Sequence, residues 1–415
     1  MAGPGMTDEQ SRAQADAAVA SLTTPDAIAD PYPVYSQLRA LAPVHRSGPA
    51  LVFLSRYDDC AAVTRSPAFR SQSPDWADRA LPGWRDRPGK VATFETMLFR
   101  DPPDHTRLRR LVTAAFAPRR VDAMRADVAT FCDRALDAIA GAGAAGSTVN
   151  LKEILASSLP VSVIGTLVGV PAADWVPLQQ SMSALMRVVE LSVSKEELDE
   201  ADGAAIALRD YFAALVADRR RIGRDDLATA LVAVRDGGDT GLTEDELLQT
   251  LVFMFMAGVD TMVNLLLNGV AALLDHPGQA DLLRADPARV TAAVDEVLRY
   301  DAPVQLVGRV AAGDTMIGGV PVPADCLVIA MLGAANRDPG RFGEPDSFDV
   351  SRAGTTVLSF GGGLHYCLGA PLARLEAGTF FSALLRRFPR LRLAGDPVRS
   401  GVVFRGFSDL PVAAR

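Results

Sequence analysis

Leu358-Ser-Phe-Gly-Gly-Gly-Leu-His-Tyr-Cys367-Leu-Gly-Ala-Pro-Leu-Ala-Arg374 runs from a short apolar stretch through three glycines to a cysteine, and a helical pattern follows from Gly369 through Phe381. Glycines tolerate positive φ and carry no side chain, so Gly361 to Gly363 let the backbone turn tightly and approach a flat ligand. Cys367 lies just before a helix N-terminus, where the helix dipole and free amide donors favour thiolate over thiol. A thiolate held by donors in a shielded loop is what an axial haem ligand requires. Read alone, the loop also fits a buried structural cysteine after a glycine turn.

Upstream, Thr243 and Glu246 form a capping-box pattern that opens a run without proline to Asp275, where His276-Pro277 ends it. Such a helix is about 50 Å long, enough to cross a domain. Its middle, LVFMFMAGVDTMVNLLL, is apolar on all sides, as a helix through a large core should be. Gly258, Asp260 and Thr261 interrupt that character. Glycine costs roughly 1 kcal/mol against alanine in a helix, and an unpaired buried carboxylate costs several kcal/mol more. Either these residues are there for chemistry, or Asp260 lies on a solvated stripe and Gly258 relieves crowding.

Of 415 residues, 49% are hydrophobic and 22% charged, which excludes wholesale disorder and supplies a large core. The 42 basic and 50 acidic residues give a net charge of −8, which argues against a nucleic-acid-binding surface. Cys60, Cys132, Cys326 and Cys367 form no C-x-x-C pair, so neither a zinc site nor a disulfide framework is expected, and the compartment reads as reducing. Residues 1–20 have no basic flank before an apolar run and read as a flexible tail, not a signal peptide. Apolar stretches such as Leu251 to Val259 are near half the ~20 residues a span needs, so a cytoplasmic protein with no membrane contact is expected.

Helical periodicity dominates, with short strand-like runs at Ala50 to Leu54, Val320 to Val322 and Leu327 to Met331. The fold class is therefore mostly α with minor β. No internal repeat appears, and the Gly/Pro-rich segments 73–90 and 338–346 read as loops inside a single domain over 21–415. Ser66 to Asp104, rich in Pro, Trp and Gly, reads as a long lid or binding loop.

With these residues in place, Phe360-Gly-Gly-Gly-Leu-His-Tyr-Cys367-Leu-Gly369 resembles the haem-binding loop of the cytochromes P-450, the haem-thiolate monooxygenases. Ala257-Gly-Val-Asp-Thr261 resembles the oxygen-activating turn of that family's long central helix, and Glu296-Val-Leu-Arg299 its Glu-x-x-Arg pair. Asp338-Pro339, and Phe348-Asp349 through Arg352, resemble the segment leading to the haem loop. The motifs stand in the family's order over residues 257–369, and the helix at 104–117 extends the likeness upstream.

The resemblance implies a cytochrome P-450 fold with the central helix over a haem b buried beside the Cys-ligand loop. It implies Cys367 as the metal ligand, with Phe360, Gly361, Gly369, Ala257 and Gly258 around the cofactor. His105 and Arg109, on a helix that Asp104 could cap, together with Arg309 and His365, match propionate partners, which buried anions need. Glu296, Arg299 and Arg352 match a buried structural lock. Asp260 and Thr261 match the catalytic pair that relays protons to bound dioxygen through a locally opened helix turn. The family often carries a second hydroxyl after the threonine, and here that residue is Met262. His45 and His276 match nothing and are given surface or helix-terminal roles.

No flavin or iron–sulfur motif is present, so electrons must arrive from a ferredoxin and an NAD(P)H-dependent ferredoxin reductase. Arg107, Arg110, Arg119 and Arg120 form a local basic group suited to an acidic ferredoxin. Trp76, Trp84, Phe94, Met97, Leu98, Met254, Val304 to Val307, Phe404 and Phe407 fall where the family lines its substrate site, about half of them expected to be plain core. The expectation is a monomeric enzyme hydroxylating or epoxidising a bulky apolar small molecule, such as a polyketide, macrolide or terpenoid of antibiotic or other secondary metabolism. Oxidative coupling on the same fold is the alternative, and a haem-based sensor or carrier a more distant one.

Overall fold

The computed structural model describes residues 7–143, 147–237 and 242–414. Two compact units are interleaved along the chain. The first comprises Met1–Gln72, Asn264–Cys367 and Phe388–Val412, the second Ser73–Val263, Leu368–Arg387 and Ala413–Arg415. The central helix, Glu244–Asp275, is opened as its capping pattern requires: the Glu246 amide donates to Thr243 Oγ1 at 3.1 Å, and the Thr243 amide donates to Glu246 Oε2 at 2.8 Å.

In the first unit a five-stranded sheet runs in the order Val44–Arg46, Leu51–Leu54, Leu327–Met331, Leu306–Ala311, Phe69–Arg70. Its one parallel pairing, Leu51 to Leu54 against Leu327 to Ala330, joins two of the strands expected from sequence. The apolar positions of these strands bury Val52, Leu54, Val328 and Ala330 with Tyr57, Cys60 and Val63 of the helix Tyr57–Arg65.

The expected tail over 1–20 is instead a helix, Asp8–Ser21. Thr7 and Gln10 close a capping box around its first turn, a signal present in the sequence but passed over, and Ala15 and Ala18 are buried with Leu22, Tyr35 and Leu38. His45, expected at the surface, is buried with its Nε2 2.8 Å from Asp16 Oδ1 on this helix. His276 does sit at a helix terminus, capping Pro277–Ala285 and packed edge-on to Tyr300.

Two buried ionic clusters hold this unit. Glu296 and Arg299, on the helix Val290–Tyr300, are both fully buried and make two 2.8 Å bonds. Arg352 Nε adds a contact at 3.2 Å to Glu296 Oε2, and the Asp349 amide donates to Oε1 at 2.9 Å. Arg299 also donates to the carbonyls of Asn336, Pro345 and Ser347. The second cluster surrounds Asp301, which accepts from Tyr32 Oη at 2.9 Å and Arg405 Nε at 2.8 Å and pairs with Arg399 at 2.7 Å. Burial alone would raise this carboxyl's pKa, but Arg399, Arg405 and Arg337 together outweigh it and hold the group well below the ordinary carboxylate range.

The second unit holds the first part of the central helix with the helices Arg125–Gly143, Leu159–Val168, Trp175–Met186, Lys195–Arg221 and Ala370–Arg387. The segment expected as one long loop is broken into short helices, Pro74–Ala80 and Pro88–Phe94, each with proline in its first turn. The latter is pinned to Lys195–Arg221: the Gly89 amide donates to Asp202 Oδ1 at 2.8 Å, and Arg87 pairs with Asp199 and Asp202. Leu151–Val168 and Glu244–Asp275 are long and apolar enough to cross a membrane, longer than the run Leu251 to Val259 suggested; both are mostly buried within the protein.

Removing Glu296 as Glu296→Ala leaves Arg299 buried without its carboxylate, a change that costs about 3–5 kcal/mol. The expected outcome is no recoverable folded protein, read by expression yield and circular dichroism. Asp301 has a depressed folded pKa, so its stabilisation is complete above the unfolded value and is lost as pH falls through the folded one. Acid titration of chemical-denaturation midpoints should therefore show stability falling below about pH 4 in the parent and a shallower fall in Asp301→Asn.

Candidate active site

The cysteine loop lies in the first unit. Phe360 opens it, the Gly361 amide donates to Leu358 O at 2.7 Å, and the Cys367 amide donates back to Phe360 O at 2.9 Å, closing the loop on itself. Gly361 and Gly363 have φ of +71° and +62°, the left-handed region that glycine takes without strain. A Cβ on Gly362 would stand 2.9 Å from Arg65 Cγ, and one on Gly363 2.8 Å from Thr64 O and 2.9 Å from Arg65 Cα. Two of the three glycines are therefore fixed by the end of the helix Tyr57–Arg65 pressing on the loop, and not only by an approaching ligand. In the second unit, Gly369 starts the helix Ala370–Arg387, its carbonyl accepting the Ala373 amide at 2.9 Å.

The thiols differ in environment. Cys60, Cys132 and Cys326 are buried, and burial pushes each thiol's pKa up, away from thiolate. Cys367 alone is exposed, presented at the end of its glycine loop. Of the four, only this sulfur is placed to take an external metal, so the donor chemistry fits a haem ligand. Arg309 and His365 share the first unit with it. Arg309 is buried on the strand Leu306–Ala311, opposite Val328, and His365 ends the short turn Gly363–His365.

His105 and Arg109 lie in the second unit, one turn apart on the helix Asp104–Thr113, with His105 buried. Asp104 does not cap that helix: Pro103 stands at the cap position with no side-chain bond, and the Asp104 carboxylate pairs with Arg107 at 3.4 Å. The helix begins one residue earlier than a capping aspartate needs. The basic group beside it is partly engaged internally, since Arg107 also pairs with Glu246 and Arg120 with Asp225, while Arg110 and Arg119 are exposed.

The expected oxygen-activating turn, also in the second unit, is continuous α-helix with no local opening. Thr261 Oγ1 donates to Ala257 O at 2.8 Å, one turn back, which leaves the hydroxyl's lone pairs to accept. A Cβ on Gly258 would stand 3.0 Å from Ile164 Cδ1, so this glycine lets the helix Leu159–Val168 pack closely. The crowding explanation therefore holds for Gly258. It fails for Asp260, which is buried, off any solvated stripe, and accepts from Ser183 Oγ at 2.8 Å, while Gln179 Nε2 donates to Ser183 Oγ at 2.8 Å.

Ser183 and Gln179 escaped the sequence reading. The available signal was a Gln and a Ser four apart on an otherwise apolar helix face, which places both on one side. Asn268 was missed as well; it is fully buried and donates to the carbonyls of Asp301 and Arg405. Among the expected substrate positions, Trp84 donates to Asp78 Oδ1 at 2.8 Å and packs with Phe94 and Phe99, while Phe407 stacks beneath Arg399, so these are core. Leu98 is exposed, and Met254 is buried on the central helix.

The family model described as "Cytochrome P450" matches residues 52–396. Among curated proteins, the cytochrome P450 monooxygenase PikC of Streptomyces venezuelae is 37% identical over 94% of this chain and 92% of its own length. The 6-deoxyerythronolide B hydroxylase of Saccharopolyspora erythraea is 36% identical over 92% of this chain and 96% of its own. Among solved structures, ligand-free CYP164A2 of Mycobacterium smegmatis superposes with a TM-score of 0.87 at 39% identity, covering 96% of this chain and all of that one. CxnD, described as forming a C–S bond in chuangxinmycin biosynthesis, gives a TM-score of 0.82 at 32% identity over 93% of this chain and 94% of its own. A glycine loop presenting one exposed thiol, a buried Glu-x-x-Arg lock and this breadth of likeness lead to one conclusion: the chain belongs to the cytochrome P450 family and is a haem b monooxygenase.

Proposed function

We propose that this enzyme inserts one atom of dioxygen, by hydroxylation or epoxidation, into a bulky apolar secondary metabolite of the polyketide, macrolide or terpenoid kind. Electrons come from a ferredoxin and its NAD(P)H-dependent reductase, and the enzyme works as a cytoplasmic monomer. The observation that carries this reading is Asp260: a carboxylate buried in the core of an apolar helix beside Thr261, held by a hydroxyl. Such a placement costs stability and is explained by proton delivery. The named activity of the Saccharopolyspora relative supports the substrate class.

Haem b, when bound, supplies the iron at which dioxygen is reduced. Cys367 is the sulfur that would ligate it, and its electron-rich thiolate favours O–O cleavage. Arg309, His365, His105 and Arg109 would hold the propionates, anions that require fixed cations or strong donors in an apolar setting. Thr261, its proton directed to Ala257 O, is set to accept a hydrogen bond from water and orient it. Asp260 gives a proton to that water and recovers one from solvent, so the carboxyl ends each transfer as it began. Ala257 and Gly258 keep this stretch of helix free of bulk, and Met254 and Met262 present thioethers and methylenes suited to apolar substrates. Arg110 and Arg119 are the basic groups of the proposed ferredoxin face that remain exposed.

Oxidative coupling without oxygen insertion is the second reading, favoured by the likeness to a C–S bond-forming enzyme. Turnover under ¹⁸O₂ with NAD(P)H, ferredoxin and reductase separates the two: one labelled oxygen in the product is expected, and unlabelled product would overturn the proposal. Thr261→Ala should keep NAD(P)H consumption while diverting it to peroxide, lowering product per reductant by about tenfold or more. Cys367→Ala should lose the far red-shifted Soret band of the reduced CO complex. A variant that kept it would remove Cys367 from the iron.

A further inference from the structure

Asp260 is joined to the helix Trp175–Met186 by a chain of two hydrogen bonds that neither the fold nor the core requires. Gln179 and Ser183 lie four residues apart, on the same face of that helix as the buried Leu178, Met182 and Met186. Gln179 is itself buried, and a buried amide is stable only if bonded. Its Nε2 donates to Ser183 Oγ at 2.8 Å, and Ser183 Oγ donates onward to Asp260 Oδ1 at 2.8 Å. Every donor in the chain points toward the carboxylate.

Two features mark this as a device for the acid and not ordinary packing. The partner of the buried carboxylate is a neutral hydroxyl, whereas the structural acids of this protein, Glu296 and Asp301, are each enclosed by two arginines. A neutral partner fixes the direction of the carboxylate without locking it into an ion pair, which suits a group that must release and regain a proton. The chain also starts on a different helix from the acid, so the seating of Trp175–Met186 sets where the carboxylate points.

We propose that Ser183 is a positioning residue that aims the Asp260 carboxylate for proton delivery, with Gln179 fixing Ser183 in turn. The inference rests on the reading of Asp260 as the proton donor. The test uses purified holoenzyme with NAD(P)H, a surrogate ferredoxin and reductase and no added organic substrate, after the reduced-CO spectrum has confirmed folding. The readouts are the solvent deuterium isotope effect on NAD(P)H oxidation and the peroxide formed per NAD(P)H. Hydrogen exchange over residues 175–186 is followed in parallel.

Ser183→Ala is expected to change the isotope effect by about twofold or more and to slow oxidation roughly tenfold, the loss that follows deletion of one hydrogen bond to a charged group. Ser183→Thr should restore both, and Asp260→Asn should speed exchange over 175–186. An unchanged isotope effect and peroxide yield in Ser183→Ala would overturn the proposal even if exchange rose, since loosened packing alone would produce that pattern. If Asp260→Asn also left the isotope effect unchanged, the proton-donor reading itself would fall. If Asp260→Asn altered it while Ser183→Ala did not, only the positioning role would be lost.

Discussion

A carboxylate with no access to water, Glu296, is tolerable only because two guanidinium groups and a backbone amide close around it. That demand fixes more than a helix. Arg299 must reach Glu296 and, with its remaining donors, the carbonyls of Asn336, Pro345 and Ser347. Asn336, so placed, accepts the Leu358 amide at 2.9 Å and donates to Ser359 Oγ at 2.8 Å, and Ser359 Oγ donates to Leu298 O. Leu358 and Ser359 are the two residues that lead into the cysteine loop. The position from which Cys367 is presented is thus inherited, bond by bond, from one buried ion pair.

Polar residues in the central helix divide by what they are bonded to. Asn268 is satisfied on both sides of its amide, donating to the Asp301 and Arg405 carbonyls and accepting from Arg399 Nη1 at 2.9 Å, which ties the helix to the Asp301 cluster. Its polarity is repaid in stability. Asn264 reaches Phe404 O at 3.5 Å, and a Cβ on Gly406 would collide with its amide, so it too belongs to packing. Asp260 has no such return: one neutral hydroxyl is a poor match for a buried carboxylate. The same helix therefore carries its structural polar groups toward one end and its chemical ones near the middle, and the bonding partners tell them apart where residue type does not.

The features legible in the sequence were those whose cause is local. The Thr243–Glu246 cap, the stop at His276-Pro277 and the Glu296–Arg299 spacing each depend on residues within one turn of one another, and each stands as read. Features whose cause is distant in the chain were not legible. His45 is buried because Asp16 faces it, and Arg107 is withdrawn from the basic face by Glu246. Asp301 shows no motif at all, since its partners come from residues 32, 399 and 405. The helix at Asp8 is a different failure: its capping box was local and readable, but alanine-rich sequence without large apolar residues looked too weak to pack, and Ala15 and Ala18 pack because they are small.

Glycine is where sequence reading and structure part most sharply. A ligand-binding account explains Gly361 to Gly363 and Gly258 by the cofactor, yet Gly362, Gly363 and Gly258 each face protein at distances a side chain would violate. The two accounts are joined by what an axial ligand needs. A thiolate that must meet a metal at a fixed place cannot hang from a floppy turn, and a loop of three glycines is floppy unless something presses on it. The end of the helix Tyr57–Arg65 supplies that pressure in the first unit, and only glycines let it come close enough. Glycine there is the condition for a rigid loop, and its conformational freedom is removed by the same contact that requires it.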